Sequence, residues 1–211
     1  MRIFRFHRKH QQELLKDARS GRVAAVIHCV LNQNARDYGA AVHKAFSEAI
    51  VSVFLEQGVG MIQMPCPEMI CLGWARERPK GVGIRQALDT PWSRRCCRSL
   101  AVAVADQLEE HFRSGYAVLG VVGGDRESPG CAVHIEAGRS GDDARLSEAS
   151  GVFMRALDKE FEVRSLRIPF LAMRESSPGA YQADLAALNR LLSNAGMSGS
   201  VRGAQGMEGF E

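Results

Sequence analysis

Apolar runs typical of buried strands alternate with helical segments along this chain, and this alternation limits the possible folds more than any other feature. The clearest runs are Val23–His28, Met61–Pro65 and Ala117–Val122. Strands that alternate with helices form βαβ units, in which the strands lie parallel and helices cover the sheet. The sequence therefore predicts an α/β fold with an open, mainly parallel, Rossmann-like sheet and helices on both faces.

Two of the predicted helices have sequence signals at their ends. One is predicted from about Ala40 to Gln57, and Gly58 suits the C′ position because glycine accepts a positive φ. Another begins after Thr90, a good N-cap residue, with Pro91 at the first helical position, and Gly115 ends it. The first helix has a stripe of small residues, and the second has an apolar stripe expected to face the sheet: Ala41, Ala45 and Ala49, and Leu100, Val104, Leu108 and Phe112.

The remaining segments complete one α/β domain over residues 1–196. Pro169 cannot donate a hydrogen bond to a neighbouring strand, so the run Leu166–Leu171 is predicted to be an edge strand. Residues 197–211 are Gly-rich, and we predict a disordered tail there. Further helices are predicted at His10–Arg19, Ser150–Lys159 and around Leu185–Leu192, with a weak strand at Ala132–Glu136.

Composition and charge indicate a cytoplasmic protein. A length of 211 residues suits one domain, and a net charge of +3 is too small to indicate a nucleic-acid or membrane partner. The first twenty residues are basic and polar, without the apolar core of a secretory signal, and no apolar run reaches the length of a membrane span. In the cytoplasm, the six cysteines are expected to be reduced thiols or metal ligands and not disulfides.

A cysteine follows each of the three clearest strands. Cys29 and Cys66 come directly after the first and second strands, and Cys131 follows the third across a glycine-containing turn. If the strands are parallel, all three thiols reach the carboxyl edge of the sheet, where open α/β sheets build ligand sites. Three thiolates there suit an iron–sulfur cluster or a zinc ion. His28 and His134 keep zinc open as an alternative, although we expect His28 to be a packed core residue.

The other three cysteines have different interpretations. Cys96 and Cys97 are adjacent on a predicted helix, and we interpret them as buried structural residues. Cys71 lies five residues after Cys66 and is either a spare ligand or unrelated to the site. The connection that follows is interpreted as a solvated basic loop, with a site for a substrate phosphate as the alternative. Its basic residues are Arg76, Arg78, Lys80 and Arg85.

Three short blocks around the strand-end cysteines resemble the 2-thiouracil desulfurase family. They are Cys29-Val30-Leu31-Asn32, Cys66-Pro67-Glu68 and Ser128-Pro129-Gly130-Cys131, within residues 23–135. The order of the blocks and their placement at strand ends make the set more specific than any one block. The first block lacks the glycine that the family has, and Ala132 replaces a glycine after the third. The chain therefore resembles a related branch, a desulfidase with its own substrate.

The resemblance implies a [4Fe–4S] cluster bound by Cys29, Cys66 and Cys131, with the fourth iron open. It also implies that Glu68 is the catalytic acid–base group and that Ser128 is a polar catalytic group. The expected substrate is a small thiolated compound such as a thiolated pyrimidine, in which water replaces the sulfur. An open iron attracts soft sulfur and polarises a thiocarbonyl, and a carboxylate within reach takes a proton from the attacking water.

The residues also allow alternative interpretations of the site and of the function. Glu68 is alternatively a carboxylate that orients a ligand, and Ser128 is alternatively a turn hydroxyl bonded to its own backbone. The whole chain is alternatively a non-catalytic iron–sulfur or zinc-binding module, which Cys71 as a fourth ligand would favour. A third possibility is a nucleotide-binding protein with structural cysteines.

Overall fold

The computed structural model describes residues 17–136, 145–193 and 200–201. Four strands form one parallel sheet in the order β2-β1-β3-β5. These strands are β1 (Arg22–Val26), β2 (Gly60–Gln63), β3 (Ala117–Gly123) and, after the short strand β4 (Leu166–Arg167), β5 (Phe170–Ala172). The predicted open, parallel α/β fold is confirmed. A second, two-stranded sheet pairs β4 with β6 (Ser200–Val201) in antiparallel orientation.

Helices flank the four-stranded sheet. In chain order they are α1 (His28–Leu31), α2 (Glu48–Glu56), α3 (Pro67–Leu72), α4 (Ile84–Leu88), α5 (Pro91–Arg113), α6 (Val152–Val163) and α7 (Pro178–Ser193), with a 3₁₀ turn at Gln33–Ala35. No helix in the described part of the chain is both long and apolar enough to cross a membrane.

Two glycines of β3 show how closely helices approach both faces of the sheet. A Cβ atom on Gly120 would lie 2.8 Å from Leu191 of α7, whereas one on Gly123 would lie 3.4 Å from Met154 of α6. Side chains three residues apart in a strand point to opposite faces, so α7 and α6 cover opposite sides. The central strands β1 and β3 are consequently buried, and they form the middle of the core.

The predicted ends of two helices agree with the structure. Gly58 follows α2 with φ 60°, and the amides of Gly58 and Val59 donate to Leu55 and Phe54, the pattern of a Schellman motif. At the other helix, the Thr90 side chain accepts a hydrogen bond from the Ser93 amide at 3.3 Å, and Pro91 is the first residue of α5. Both signals are local, which explains why the sequence alone predicts them.

The start of α2 was predicted wrongly. The helix begins at Glu48 and not near Ala40, because tertiary hydrogen bonds hold the preceding segment in an irregular path. The Gln33 amide donates to the Ala45 carbonyl at 2.7 Å, and the Ser47 amide donates to the Val30 carbonyl at 2.8 Å. Ala41 and Ala45 therefore lie in an exposed loop instead of on a helix stripe.

Other predicted boundaries also differ. The segment Ala132–Glu136 forms isolated bridges and not a strand, and the run Leu166–Leu171 is divided at Pro169 between β4 and β5. The edge position is confirmed, since β5 ends the sheet. Most of the predicted helix His10–Arg19 lies outside the described residues, and its described part, 17–19, is not helical. The predicted tail 197–211 lies outside them except for Ser200–Val201.

Candidate functional site

Cys29, Cys66 and Cys131 follow three neighbouring strands of the parallel sheet. The ends of these strands are level, because Val26 pairs with both Gln63 of β2 and Val122 of β3. Cys29 lies in α1 directly after β1, Cys66 is the N-cap residue of α3 after β2, and Cys131 follows β3 across a turn. The topology thus brings all three thiols to the carboxyl edge of the sheet.

The three thiols are free and influence one another electrostatically. Burial raises the pKa of Cys131 well above its ordinary value, and the neighbouring Cys66 and Cys29 raise it further. Burial also raises the pKa of Cys29 to about 11, with an additional contribution from Cys66. For Cys66, burial again raises the pKa, while the backbone amides of Met69 and Glu68 oppose this effect. The thiols therefore form one electrostatically coupled group, in which Cys131 is buried and Cys29 and Cys66 are partly exposed. Binding a metal there would displace their protons.

Direct packing joins the loops that carry Cys66 and Cys131. A Cβ atom on Gly130 would lie only 2.5 Å from the Pro67 ring, and one on Gly151 would lie 2.2 Å from the Gly130 carbonyl. Only glycine leaves room for these approaches. The Val152 and Phe153 amides at the start of α6 also donate to carbonyls of the Cys131 turn. The position of Cys131 is thus fixed by contacts with both α3 and α6.

The Ser128 hydroxyl accepts a hydrogen bond from the Cys131 amide at 3.2 Å. This contact corresponds to the predicted alternative of a turn hydroxyl that bonds its own backbone. A hydroxyl that accepts one hydrogen bond still has its own proton to donate. Ser128 is partly exposed, so a bound molecule can reach it.

Glu68 lies on α3 beside the thiols and is paired with a buried arginine. Its Oε2 atom is 3.6 Å from the Nε atom of Arg76. Burial raises the pKa of Glu68, while Arg76 and the Gly130 amide oppose the shift. A carboxyl with a raised pKa takes up and releases a proton closer to neutral pH than an exposed one, as a general acid or base requires.

The interpretation of the basic loop as solvated is wrong for Arg76. This side chain is 2% exposed and donates to the carbonyls of Trp74 and Ala35. Arg76 therefore ties the Glu68 helix to the loop that follows Cys29. Arg78 donates to the carbonyls of Val82 and Arg76. Arg85 donates to the carbonyls of Ser150 and Ala149. Both arginines thus bond to the protein backbone, which does not indicate a phosphate site. Lys80 is exposed, as expected.

Sequence reasoning missed a second polar group beside Cys29. The side chain of Glu175, which follows β5, is 3% exposed and accepts from Arg36 and Ser47, with the His43 Nε2 atom at 3.3 Å. Arg36 acts to lower the pKa of Cys29, and Glu175 acts to raise it. A signal was present, because Glu175 also follows a strand of the parallel sheet, yet this edge strand is short and difficult to delimit from sequence.

The expectation that all six cysteines are reduced thiols or metal ligands is wrong for two of them. Cys71 and Cys96 form a disulfide that joins α3 to α5, with a Cα–Cα distance of 5.8 Å. Cys71 is therefore not a fourth ligand in this state. Of the two cysteines interpreted as buried structural residues, Cys97 is fully buried, whereas Cys96 is partly exposed and disulfide-bonded.

The two histidines do not complete a zinc site. His28 is partly exposed instead of packed in the core, and its Nδ1 atom contacts the Gln63 side chain. The Nε2 atom of His134 lies 3.0 Å from the Arg126 carbonyl. Within the described ranges, no three His, Cys, Asp or Glu side chains are grouped as a single metal ion would require. Ligands of one tetrahedral zinc ion need sulfur atoms about 3.8 Å apart, given Zn–S bonds of about 2.3 Å. An iron–sulfur cluster is bound differently, because each thiolate ligand binds a different iron.

Comparisons with known proteins give one distant relationship. The chain is 32% identical over 98 residues to an uncharacterized protein of Methanocaldococcus jannaschii, and this match covers 46% of the chain. The chain spans only 60% of the length of that relative. No protein-family profile matches the sequence, and no solved structure matches it significantly.

Proposed function

We propose that this protein is an iron–sulfur-dependent desulfidase that removes sulfur from a small thiocarbonyl compound of the thiouracil type. Water supplies the oxygen that replaces the sulfur, so the products are the oxo compound and hydrogen sulfide. The observation that carries the proposal is the placement of three free thiols at three neighbouring strand ends, with a partly buried carboxyl on the helix that begins at one of them.

The donor set is suited to a [4Fe–4S] cluster bound through Cys29, Cys66 and Cys131. Three thiolates satisfy three irons, and Cys71, the nearest further cysteine in sequence, is bonded to Cys96. When bound, such a cluster supplies a Lewis-acidic iron that attracts the sulfur of the substrate. The apolar side chains around the thiols limit the access of water, which lowers the local dielectric constant and strengthens electrostatic effects in the site.

Glu68 is proposed as the general base. Its carboxylate takes a proton from the water that attacks the thiocarbonyl carbon, and the proton is later returned to the departing sulfur. Arg76, which is buried, holds the carboxylate in place through the ion pair. Ser128 is proposed to donate its hydroxyl proton as a hydrogen bond to the substrate, while its oxygen accepts from the Cys131 amide. We propose the cytoplasm as the location, because the three thiols must be reduced to bind iron.

The test begins with protein purified without oxygen. We expect a broad visible absorbance near 400 nm typical of iron–sulfur clusters, an iron and acid-labile sulfide content of about four each per chain, and release of sulfide with uracil from 2-thiouracil in equal amounts. A Cys97→Ala variant is the matched control, because Cys97 lies outside the proposed ligand set, and it should load iron normally. Iron binding without sulfide release from any thiolated pyrimidine would support the non-catalytic module instead. Stoichiometric zinc and no iron would contradict the proposal.

A further inference from the structure

A second group of cysteines lies outside the proposed ligand set, at the contact between α3 and α5. Cys71 near the end of α3 is bonded to Cys96 near the start of α5, and the Sγ atom of Cys97 lies 3.9 Å from the Sγ atom of Cys71. We infer that Cys71 and Cys96 form a reversible redox site, a disulfide that a dithiol reductant opens and that clamps α3 to α5 when it is closed.

The first argument for reversibility is the coexistence of the disulfide with reduced thiols. Cys29, Cys66 and Cys131 are free in the same chain. This step rests on the proposed function, since these thiols must stay reduced to bind iron. Conditions that keep three thiols reduced also act on the disulfide, so its state depends on the balance of reductant and oxidant around the protein.

The second argument is access. Cys96 is partly exposed at the surface of α5, whereas Cys71 is 9% exposed. A cleft of about 500 Å³ is lined by Cys71, Trp92 and Ser93 and reaches the disulfide from solvent. Because the cleft reaches Cys71 and Cys96 is partly exposed, a reductant can reach the disulfide without prior unfolding of α5. Burial raises the pKa of Cys97 to about 12, so this thiol competes poorly as an internal nucleophile.

Reduction of the disulfide takes place by thiol–disulfide exchange with the dithiol. A thiolate of the dithiol attacks the Cys96 sulfur, the Cys71–Cys96 bond breaks, and Cys71 leaves as a thiolate that takes up a proton. The second thiol of the reductant, after losing its proton, attacks the mixed disulfide and releases Cys96. The protein gains two electrons and two protons, and the dithiol becomes a disulfide.

The disulfide can affect the proposed site because it is attached to the helix, and closes the loop, that carry site residues. Cys71 is three residues after Glu68 on the same short helix, α3, whose N-cap residue is Cys66. The disulfide closes a loop between residues with a sequence separation of 25, and this loop contains Arg76, the ion-pair partner of Glu68. Opening the disulfide releases the end of α3 and this loop together. The inferred consequence is greater mobility of Cys66 and Glu68 in the reduced protein.

The inference is tested on the wild-type chain in mixtures of reduced and oxidised dithiothreitol, without oxygen. Samples are denatured in an alkylating reagent, and the mass of each cysteine-containing peptide is measured by mass spectrometry. We expect Cys71 and Cys96 to become labelled together as the reductant fraction rises, a gain of two thiols per chain, with Cys97→Ala behaving in the same way. Labelling of both without reductant would contradict the disulfide. Failure to open it in excess reductant would contradict its reversibility.

The effect on the site is measured separately, in native protein freed of metal by a chelator. Alkylation of Cys66 should be roughly tenfold faster after reduction, as expected if the opening of α3 becomes easier by about 1.4 kcal/mol. A Cys71→Ala variant should react at the fast rate with or without reductant. Equal Cys66 rates in the oxidised and reduced wild type would contradict the clamp. If the protein binds no iron in either redox state, the proposed function fails while the thiol results still stand.

Discussion

The Nε atom of Arg76 lies 3.6 Å from the Oε2 atom of Glu68; the Arg76 side chain is buried, and that of Glu68 is 13% exposed. Arg76 has φ 49°, a left-handed conformation that is unfavourable for a residue with a side chain. Its other nitrogens donate to Trp74 and Ala35 carbonyls. The surrounding contacts thus hold a strained residue where its charge meets the Glu68 carboxylate.

Replacing Arg76 should show how much this ion pair contributes to the stability of the folded protein. Arg76→Met leaves a largely buried carboxylate and two carbonyls without partners, and we expect the free energy of unfolding to fall by about 3 kcal/mol in urea titrations. Arg76→Lys keeps the charge without the planar fork and should lose less. Adding Glu68→Gln to Arg76→Met should restore part of the loss, because the uncompensated charge is gone. Additive losses in the double variant would contradict a direct coupling of the two residues.

Each of the three strand-end cysteines should be required for iron loading. We expect each single replacement by alanine, Cys29→Ala, Cys66→Ala or Cys131→Ala, to reduce the iron content and the visible absorbance of anaerobically purified protein to background. The reason is that a cluster with one ligand missing dissociates more easily from the protein. Circular dichroism checks that the variants are folded. A fully loaded Cys131→Ala protein would remove Cys131 from the ligand set.

Glu68→Gln should separate cluster binding from catalysis. The amide keeps the shape of the side chain but cannot take a proton, so sulfide release from 2-thiouracil should fall by about 10²–10⁴-fold while the iron content stays unchanged. Ser128→Ala should cost less, since a hydrogen bond to a neutral partner contributes only about 1 kcal/mol. Loss of iron in Glu68→Gln would make Glu68 structural. Full activity with full iron loading would assign the base to another residue.

Two glycines offer a matched test of the packing that positions Cys131. In Gly151→Ala, the new Cβ would lie 2.2 Å from the Gly130 carbonyl, so the backbone must move, and we expect a loss of at least about 2 kcal/mol in stability. Gly179→Ala in α7 meets nothing within 4 Å and should gain about 0.5–1 kcal/mol. Thermal unfolding of both variants measures the difference. Equal stability of the two variants would show that the Cys131 turn is not held by this contact.

Asp158 should make stability depend on pH. Burial raises the pKa of this α6 carboxyl above 3.8, although its Oδ2 atom accepts from the Leu146 amide at 3.1 Å. The folded state therefore binds the proton more strongly than the unfolded state, so this contribution to stability is present at low pH and is lost as pH rises through the raised pKa. Asp158→Asn removes it and keeps an acceptor for Leu146. Urea titrations from pH 4 to 7 should show the variant gaining stability relative to wild type as pH rises; a constant difference would contradict the assignment.

Local patterns in the sequence determined the fold class and much of its outline. Alternating strands and helices predicted the parallel sheet, because each strand must return to the same edge through a helical crossover. The helix ends at Gly58 and Thr90 were likewise predicted from the sequence, since capping depends on residues close to each other in the chain. The same logic explains why Cys29, Cys66 and Cys131 were predicted to lie at one edge, where the structure places them.

Only the tertiary structure decided which distant side chains meet. The burial of Arg76 against Glu68 depends on a loop folding back over the strand ends, and the pairing of Arg36 with Glu175 joins residues far apart in the chain. The disulfide between Cys71 and Cys96 depends on how α3 packs against α5. The late start of α2 depends on hydrogen bonds between Gln33 and a separate segment, with Gln33 donating to Ala45 and accepting from Val42. Such contacts carry no local signature, because their free energy arises from elements that become neighbours only when the chain is folded.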